Sequence, residues 1–159
     1  MDWHQLPSHS RTWIYQSDRF FSEEETTTIK KMADEFVEGW SSHGVQLSAA
    51  IEIFHGLFIV IFADEEQAAA SGCSIDKSMN LIKNIENKFQ LKLTDRMRFA
   101  FMEEGKVSEG SLNELVGYVK EGRIKNDTQM FDNLMTDKKE FELSWLKTFS
   151  ESWHKKFAE

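Results

Sequence analysis

Leu47-Ser48-Ala49-Ala50-Ile51-Glu52-Ile53-Phe54-His55-Gly56-Leu57-Phe58-Ile59-Val60-Ile61-Phe62-Ala63 is the stretch whose reading decides the fold. Its halves, Leu47 to Phe54 and Leu57 to Ala63, are rich in β-branched and aromatic residues, and His55-Gly56 between them is a short hairpin signal. The second half is apolar on both faces. A sheet with one face in water alternates apolar with polar residues, so the strand expected over Leu57 to Ala63 is central and covered on both sides. The apolar run from Ile51 to Ala63 is too short to span a bilayer and contains His55 and Gly56.

Upstream, Thr12 to Ser17 reads as a strand, with Trp13 and Tyr15 alternating against Ile14 and Gln16. Ser22 followed by Glu23, Glu24 and Glu25 has the form of a capping box. It opens a helix with Ile29, Met32, Phe36, Val37 and Trp40 at helical spacing, stopping near Ser41 to Gly44. Downstream, Asp64 to Ala70 is a connection or a short helical turn. Ile75, Met79, Ile82, Ile85 and Phe89 mark a second amphipathic helix over Ser74 to Phe89. Arg96 to Met102 alternates again, with Met97, Phe99 and Phe101 on one face. The order strand, helix, strand, strand, helix, strand predicts an α+β, ferredoxin-like βαββαβ sandwich over residues 1–103, with both helices on one face of the sheet.

The other face needs cover, either from residues 104–159 or from a second subunit. Those residues read as an α-rich extension packed on the core as one compact unit. A helix is expected over Ser111 to Val119, stopped by Glu121-Gly122-Arg123, followed by a small cluster of Met130, Phe131 and Leu134. A final helix is expected to carry Phe141, Trp145, Phe149, Trp153 and Phe157, each four apart, as a core or interface seam.

Composition bounds the function. The 27 acidic against 19 basic residues of this 159-residue chain give a net charge of −8. That disfavours a nucleic-acid backbone or an anionic membrane as partner. The first residues, Met1-Asp2-Trp3-His4-Gln5, lack the charged and apolar regions of a signal peptide. A single cysteine forms no internal disulfide. A cytoplasmic location is therefore expected.

Three stretches carry a resemblance: Leu6-Pro7 with Arg11-Thr12-Trp13-Ile14-Tyr15-Gln16, then Ser71-Gly72-Cys73-Ser74-Ile75-Asp76, then Phe131-Asp132-Asn133-Leu134. Together they resemble an uncharacterised bacterial family of small proteins often labelled "ABC transporter ATPase". The resemblance spans nearly the whole chain and implies no role for any residue. The label implies ATP hydrolysis, which needs a G-x-x-x-x-G-K-[ST] loop to hold the phosphates. No such loop occurs, since Gly105-Lys106 is followed by Val107, and no ABC signature is present, so that activity is not expected. A shorter stretch, Gly110-Ser111-Leu112-Asn113-Glu114-Leu115 with Glu121-Gly122-Arg123-Ile124 and Asp127-Thr128, is similar to part of GYF-like domains. It implies a β segment near Thr128 to Phe131.

The nearest approach to a chemical site is the run Ser71 to Ser78. A glycine turn into a helix can aim backbone N–H groups and hydroxyls at an anion, and a thiol there can become nucleophilic. Ser71, Gly72, Cys73, Ser74 and Ser78 are the candidate ligand-binding residues on that reading. The competing reading is structural: Ser74 or Asp76 caps the helix, Gly72 takes a positive φ, and Cys73 is a small buried apolar residue. Asp76 stands where a G-x-S-x-G elbow would close with glycine, against a serine hydrolase.

His4, His9, His43, His55 and His154 show no metal-ligand spacing and are expected at the surface or its rim. The acidic runs Glu23 to Glu25 and Asp64 to Glu66 lack the alternation of a calcium loop. Trp3 is expected to anchor the N-terminal arm or to mark a dimer surface. No metal and no cofactor are expected. The predicted function is a non-enzymatic binding protein, with a protein partner or a second copy of the chain. The alternative is an anion- or small-molecule-binding protein, or a thiol enzyme, built on Ser71 to Ser78.

Overall fold

The computed structural model describes residues 2–66 and 68–159. Strand β1 (Arg11–Gln16) is followed by helix α1 (Glu23–Gly39), the short strands β2 (Ser41–Ser42) and β3 (Val45–Gln46), and then β4 (Ser48–Phe54) and β5 (Phe58–Asp64). Helix α2 (Gly72–Phe89) leads to β6 (Arg98–Glu103), β7 (Lys106–Ser111), α3 (Leu115–Lys120), β8 (Gln129–Phe131), α4 (Lys138–Ser144) and β9 (Leu146–Thr148).

The first sheet is antiparallel, in the order β1-β5-β4. The strand predicted to be central is central, and six of its seven residues are buried. Val60 faces Ile14 on one side and Glu52 on the other. Alternation along β5 then divides the core. Ile59, Ile61 and Ala63 pack with Ile29 of α1 and Leu81, Ile82 and Ile85 of α2. Phe58, Val60 and Phe62 point the other way, onto Ala100, Phe131, Phe141 and Trp145. Burying each such phenylalanine contributes roughly 1.5–3 kcal/mol.

Helix α1 starts where the capping box requires. The Ser22 hydroxyl accepts the Glu25 N–H (3.1 Å) and the Glu25 carboxylate accepts the Ser22 N–H (2.9 Å). The same carboxylate takes two hydrogen bonds from Arg19, which hold it down at a pKa of about 2.

Strand β6 does not join the first sheet. It lies in a second antiparallel sheet, ordered β7-β6-β8-β9. Ala100 and Phe131 face the first sheet, while Phe99, Phe101 and Met130 face outward under Leu112, Leu115, Ile124 and Phe149. The protein is thus layered as helices, sheet, sheet and an irregular outer cover. A side-chain chain stitches the sheets together: the Gln16 amide donates to the Phe99 carbonyl (2.8 Å), Asn133 donates to Gln16 (2.9 Å), and Trp145 donates to Asn133 (3.1 Å).

Residues 104–159 are not α-rich. They contribute three of the four strands of the second sheet, and α3 and α4 are only six and seven residues long. The expected helix from Ser111 starts with a 3₁₀ turn over Leu112–Glu114, because Ser111 itself still pairs with Arg98. The expected final helix is broken after Ser144. Leu146 to Thr148 pair with β8, and the remainder coils as 3₁₀ turns. The aromatic stripe is split by that break. Phe141 and Trp145 enter the core between the sheets, Phe149 and Trp153 cover the outer face, and Phe157 is exposed.

The second face of the first sheet is therefore covered from within the chain. Trp3 adds to it, stacking on Phe62 at 5.1 Å between centroids and meeting Phe54 and Phe141 edge-on. It anchors the arm. The β segment expected near Thr128 to Phe131 is β8.

Candidate functional site

The run Ser71 to Ser78 forms the first two turns of α2. Ser71, not Ser74 or Asp76, is the cap, its hydroxyl accepting the Ser74 N–H at 3.1 Å. The Ser74 hydroxyl donates to the Ser71 carbonyl (2.9 Å) and the Ser78 hydroxyl to the Ile75 carbonyl (2.7 Å). Ser74 and Ser78 are buried, and the Ser74 carbonyl accepts the indole N–H of the buried Trp40 at 2.8 Å. Gly72 is an ordinary first helical residue and is not among the positive-φ positions. The capping hydrogen bond sets the turn without it. Cys73 is exposed rather than buried, because it sits on the solvent side of the first turn. The run thus places the five candidate residues close in sequence, but its hydroxyls serve the backbone. Only the thiol is left facing solvent.

The histidines divide. His4, His9, His43 and His55 are exposed. His154 is buried, against expectation, with Nδ1 3.1 Å from the Ser152 hydroxyl and its ring stacked on Trp153. Burial lowers its pKa to about 4, opposed by the Asp132 charge. His9, Asp64 and Glu66 bring three donor atoms within 4.8 Å of one another, and His9 Nε2 lies 3.2 Å from Asp64 Oδ1. Residues 55 positions apart in sequence meet there, which spacing rules do not detect. The group lies at the surface, where Asp64 Oδ1 meets His9 Nε2 and also accepts the Glu66 N–H at 3.0 Å.

The Phe131-Asp132-Asn133-Leu134 run is a structural joint. Asp132 is buried and accepts hydrogen bonds from Lys147 Nζ (2.9 Å), Trp153 Nε1 (3.2 Å) and the Leu134 N–H (3.0 Å). These contacts lay β9 against β8 and hold the outer cover.

Strand β9 is the edge of the second sheet. In its ladder with β8 the Asp132 N–H donates to the Trp145 carbonyl (2.6 Å) and the Phe149 N–H to the Thr128 carbonyl (2.8 Å). Hydrogen-bonded pairs alternate along an antiparallel ladder. This phase points the N–H and C=O groups of Leu146 and Thr148 away from β8. Beside that edge lies an open recess of about 500 Å³, lined by Gln129, Leu143, Ser144, Leu146, Lys147 and Thr148, among others. Leu143 is 73 % exposed and Leu146 41 %. Neither leucine belongs to the i, i+4 aromatic stripe. That off-stripe position is the one sequence signal that marked them as outward-facing.

No family model matches this chain, and searches of curated proteins and of solved structures returned no match. Among the described residues, no helix is long and apolar enough to cross a membrane.

Proposed function

We propose that this protein is a non-enzymatic interaction protein that binds an extended segment of a partner protein along β9. The observation that carries the reading is the open edge itself: outward main-chain groups at Leu146 and Thr148 beside the exposed side chains of Leu143 and Leu146. An exposed strand edge with apolar side chains is a template for an added strand. The main chain supplies the hydrogen bonds, and the exposed Leu143 and Leu146 side chains supply apolar contact in an otherwise polar recess.

A second copy of the chain is the competing occupant. A two-fold pairing that uses both outward residues sets Leu146 against Thr148 and Lys147 against Lys147. Like charges directly opposite are unfavourable. Lys147 already pairs with Asp132 at 2.9 Å, which weakens that opposition, so the oligomeric state of the free protein separates the two occupants.

We assign the protein, on the same footing, to the cytoplasm and to the bacterial family it resembles. One exposed, unpaired cysteine suits a reducing compartment. Each resembling stretch lies at a joint of the fold: Leu6 under α4, Ser71 at the cap of α2, Phe131 to Asn133 between the sheets. The β1-β5-β4 order with both helices on one face supports a ferredoxin-like ancestry for the first sheet.

The test is comparative capture. Wild-type protein and the Leu143→Lys/Leu146→Lys variant are presented to a cytoplasmic extract, and retained proteins are quantified. A partner retained by the wild type and lost by the variant, whose purified form also protects the Leu146 and Thr148 amides, supports the reading. Equal retention contradicts it.

A second reading rests on the exposed thiol of Cys73 in the first turn of α2. Thiol chemistry there requires faster reaction at neutral pH than an ordinary cysteine. Reaction with a disulfide reagent at the rate of a free peptide thiol rejects it.

A further inference from the structure

The C-terminal end of α1 and the middle of α2 leave a groove of about 330 Å³ between them, lined by Phe36, Gly39, Trp40, Lys77, Asn80, Leu81 and Asn84. We propose that it binds a small monocarboxylate carrying a ring or a short alkyl chain. This inference does not depend on the β9 reading, and either can fail alone.

Three features carry it. The volume lies at the lower end of the range of small-molecule sites. The floor is apolar, made by Phe36, Trp40 and Leu81, and the buried Trp40 indole is fixed by its hydrogen bond to the Ser74 carbonyl at 2.8 Å. The rim carries one cation and two carboxamides and no carboxylate, in a chain of net charge −8. Lys77 makes no ion pair among the described residues, and the positions three and four away on α2 are Cys73, Ser74, Asn80 and Leu81, none acidic. A monoanion over an apolar floor matches that pattern: charge to Lys77, oxygen acceptors to Asn80 and Asn84, ring or chain to the part-exposed Phe36 and the edges of Trp40 and Leu81 that reach the groove.

Gly39 provides the control. A Cβ built there meets nothing within 4 Å, and its φ is not positive, so a larger side chain can occupy the groove without disturbing the helix.

The experiment follows the amide, indole and carboxamide resonances of the whole protein during titration with phenylacetate and, separately, with neutral phenylacetamide. The proposal predicts saturable shifts at Trp40, Asn80 and Asn84 at roughly millimolar concentration, with phenylacetamide at least two-fold weaker. Lys77→Met should weaken phenylacetate about two- to five-fold and leave phenylacetamide unchanged, as loss of one exposed charge contact predicts. Gly39→Leu should abolish both, and if that variant does not fold, Lys77→Met decides. Absence of saturation, equal binding of the neutral amide, or shifts confined to another surface would each overturn the proposal.

Discussion

Lys138 Nζ lies 2.6 Å from the carbonyl oxygen of Leu6, a residue 132 positions away, and 3.2 Å from that of His4. The ammonium is buried beneath the Trp3 ring, 5.5 Å from its centroid. Helix α4 thereby holds the N-terminal arm across the aromatic layer between the sheets. Replacing Lys138 with Ala leaves the buried Leu6 carbonyl without this donor, which costs about 1–3 kcal/mol. Urea unfolding should show that loss, and limited proteolysis should show earlier cleavage within residues 2–10. An unchanged midpoint would remove Lys138 from the role of latch.

The fold answers to pH through His154. Its folded pKa is near 4 against 6.5 for a free histidine, because burial disfavours the imidazolium. Between those values the unfolded chain binds the extra proton. Stability is therefore full above about pH 6.5 and falls as pH drops towards 4, by roughly 3 kcal/mol in total. Denaturant midpoints measured from pH 7.5 to 4 should show that slope, and His154→Phe should flatten it. Glu25 is held near 2 by Arg19 and the Ser22 N–H, so its stabilisation is full above the ordinary glutamate range and is lost only as pH falls from there towards 2, largely below the His154 window.

Gly110 is fixed by packing rather than by backbone freedom. A Cβ there would stand 3.0 Å from Tyr118 Cε2 and 3.2 Å from Phe99 Cε1. Gly110→Ala should destabilise by about 1–3 kcal/mol through overpacking. Removing the neighbouring ring with Tyr118→Leu should make the Gly110→Ala step nearly neutral. An additive double-mutant cycle would refute the contact as its cause.

Cys73 faces solvent, so a thiol reagent should label it fully without denaturant, and Cys73→Ser should change stability by less than about 0.5 kcal/mol. Labelling only after unfolding would contradict its placement.

The first sheet could be read from residues because Leu57 to Ala63 is apolar on both faces and His55-Gly56 marks the turn, where both residues take positive φ. The second sheet could not. Lys106-Val107-Ser108-Glu109-Gly110-Ser111 holds one large apolar residue, and it becomes a strand through pairing with β6 across Glu104-Gly105, again at positive φ. That dipeptide was the available signal, weaker than Asn-Gly or Asp-Gly. Four-residue spacing of aromatics suggested one helix from Phe141 to Phe157, but residues four apart can equally feed two different cores when a strand intervenes. The candidate edge had no sequence signature for a simpler reason. Its recognition groups are main-chain N–H and C=O, which every residue carries, and only the register of β9 decides which face outward.

The central claim is that the Leu146 and Thr148 main chain receives a partner strand. Amide hydrogen exchange tests it most directly, with and without the purified partner captured by wild-type protein but not by the Leu143→Lys/Leu146→Lys variant. The account predicts slowed exchange at Leu146 and Thr148 on binding, with Lys147, already paired to Met130 in the β8 ladder, little changed. Unchanged exchange at both outward amides while the partner is bound would contradict it.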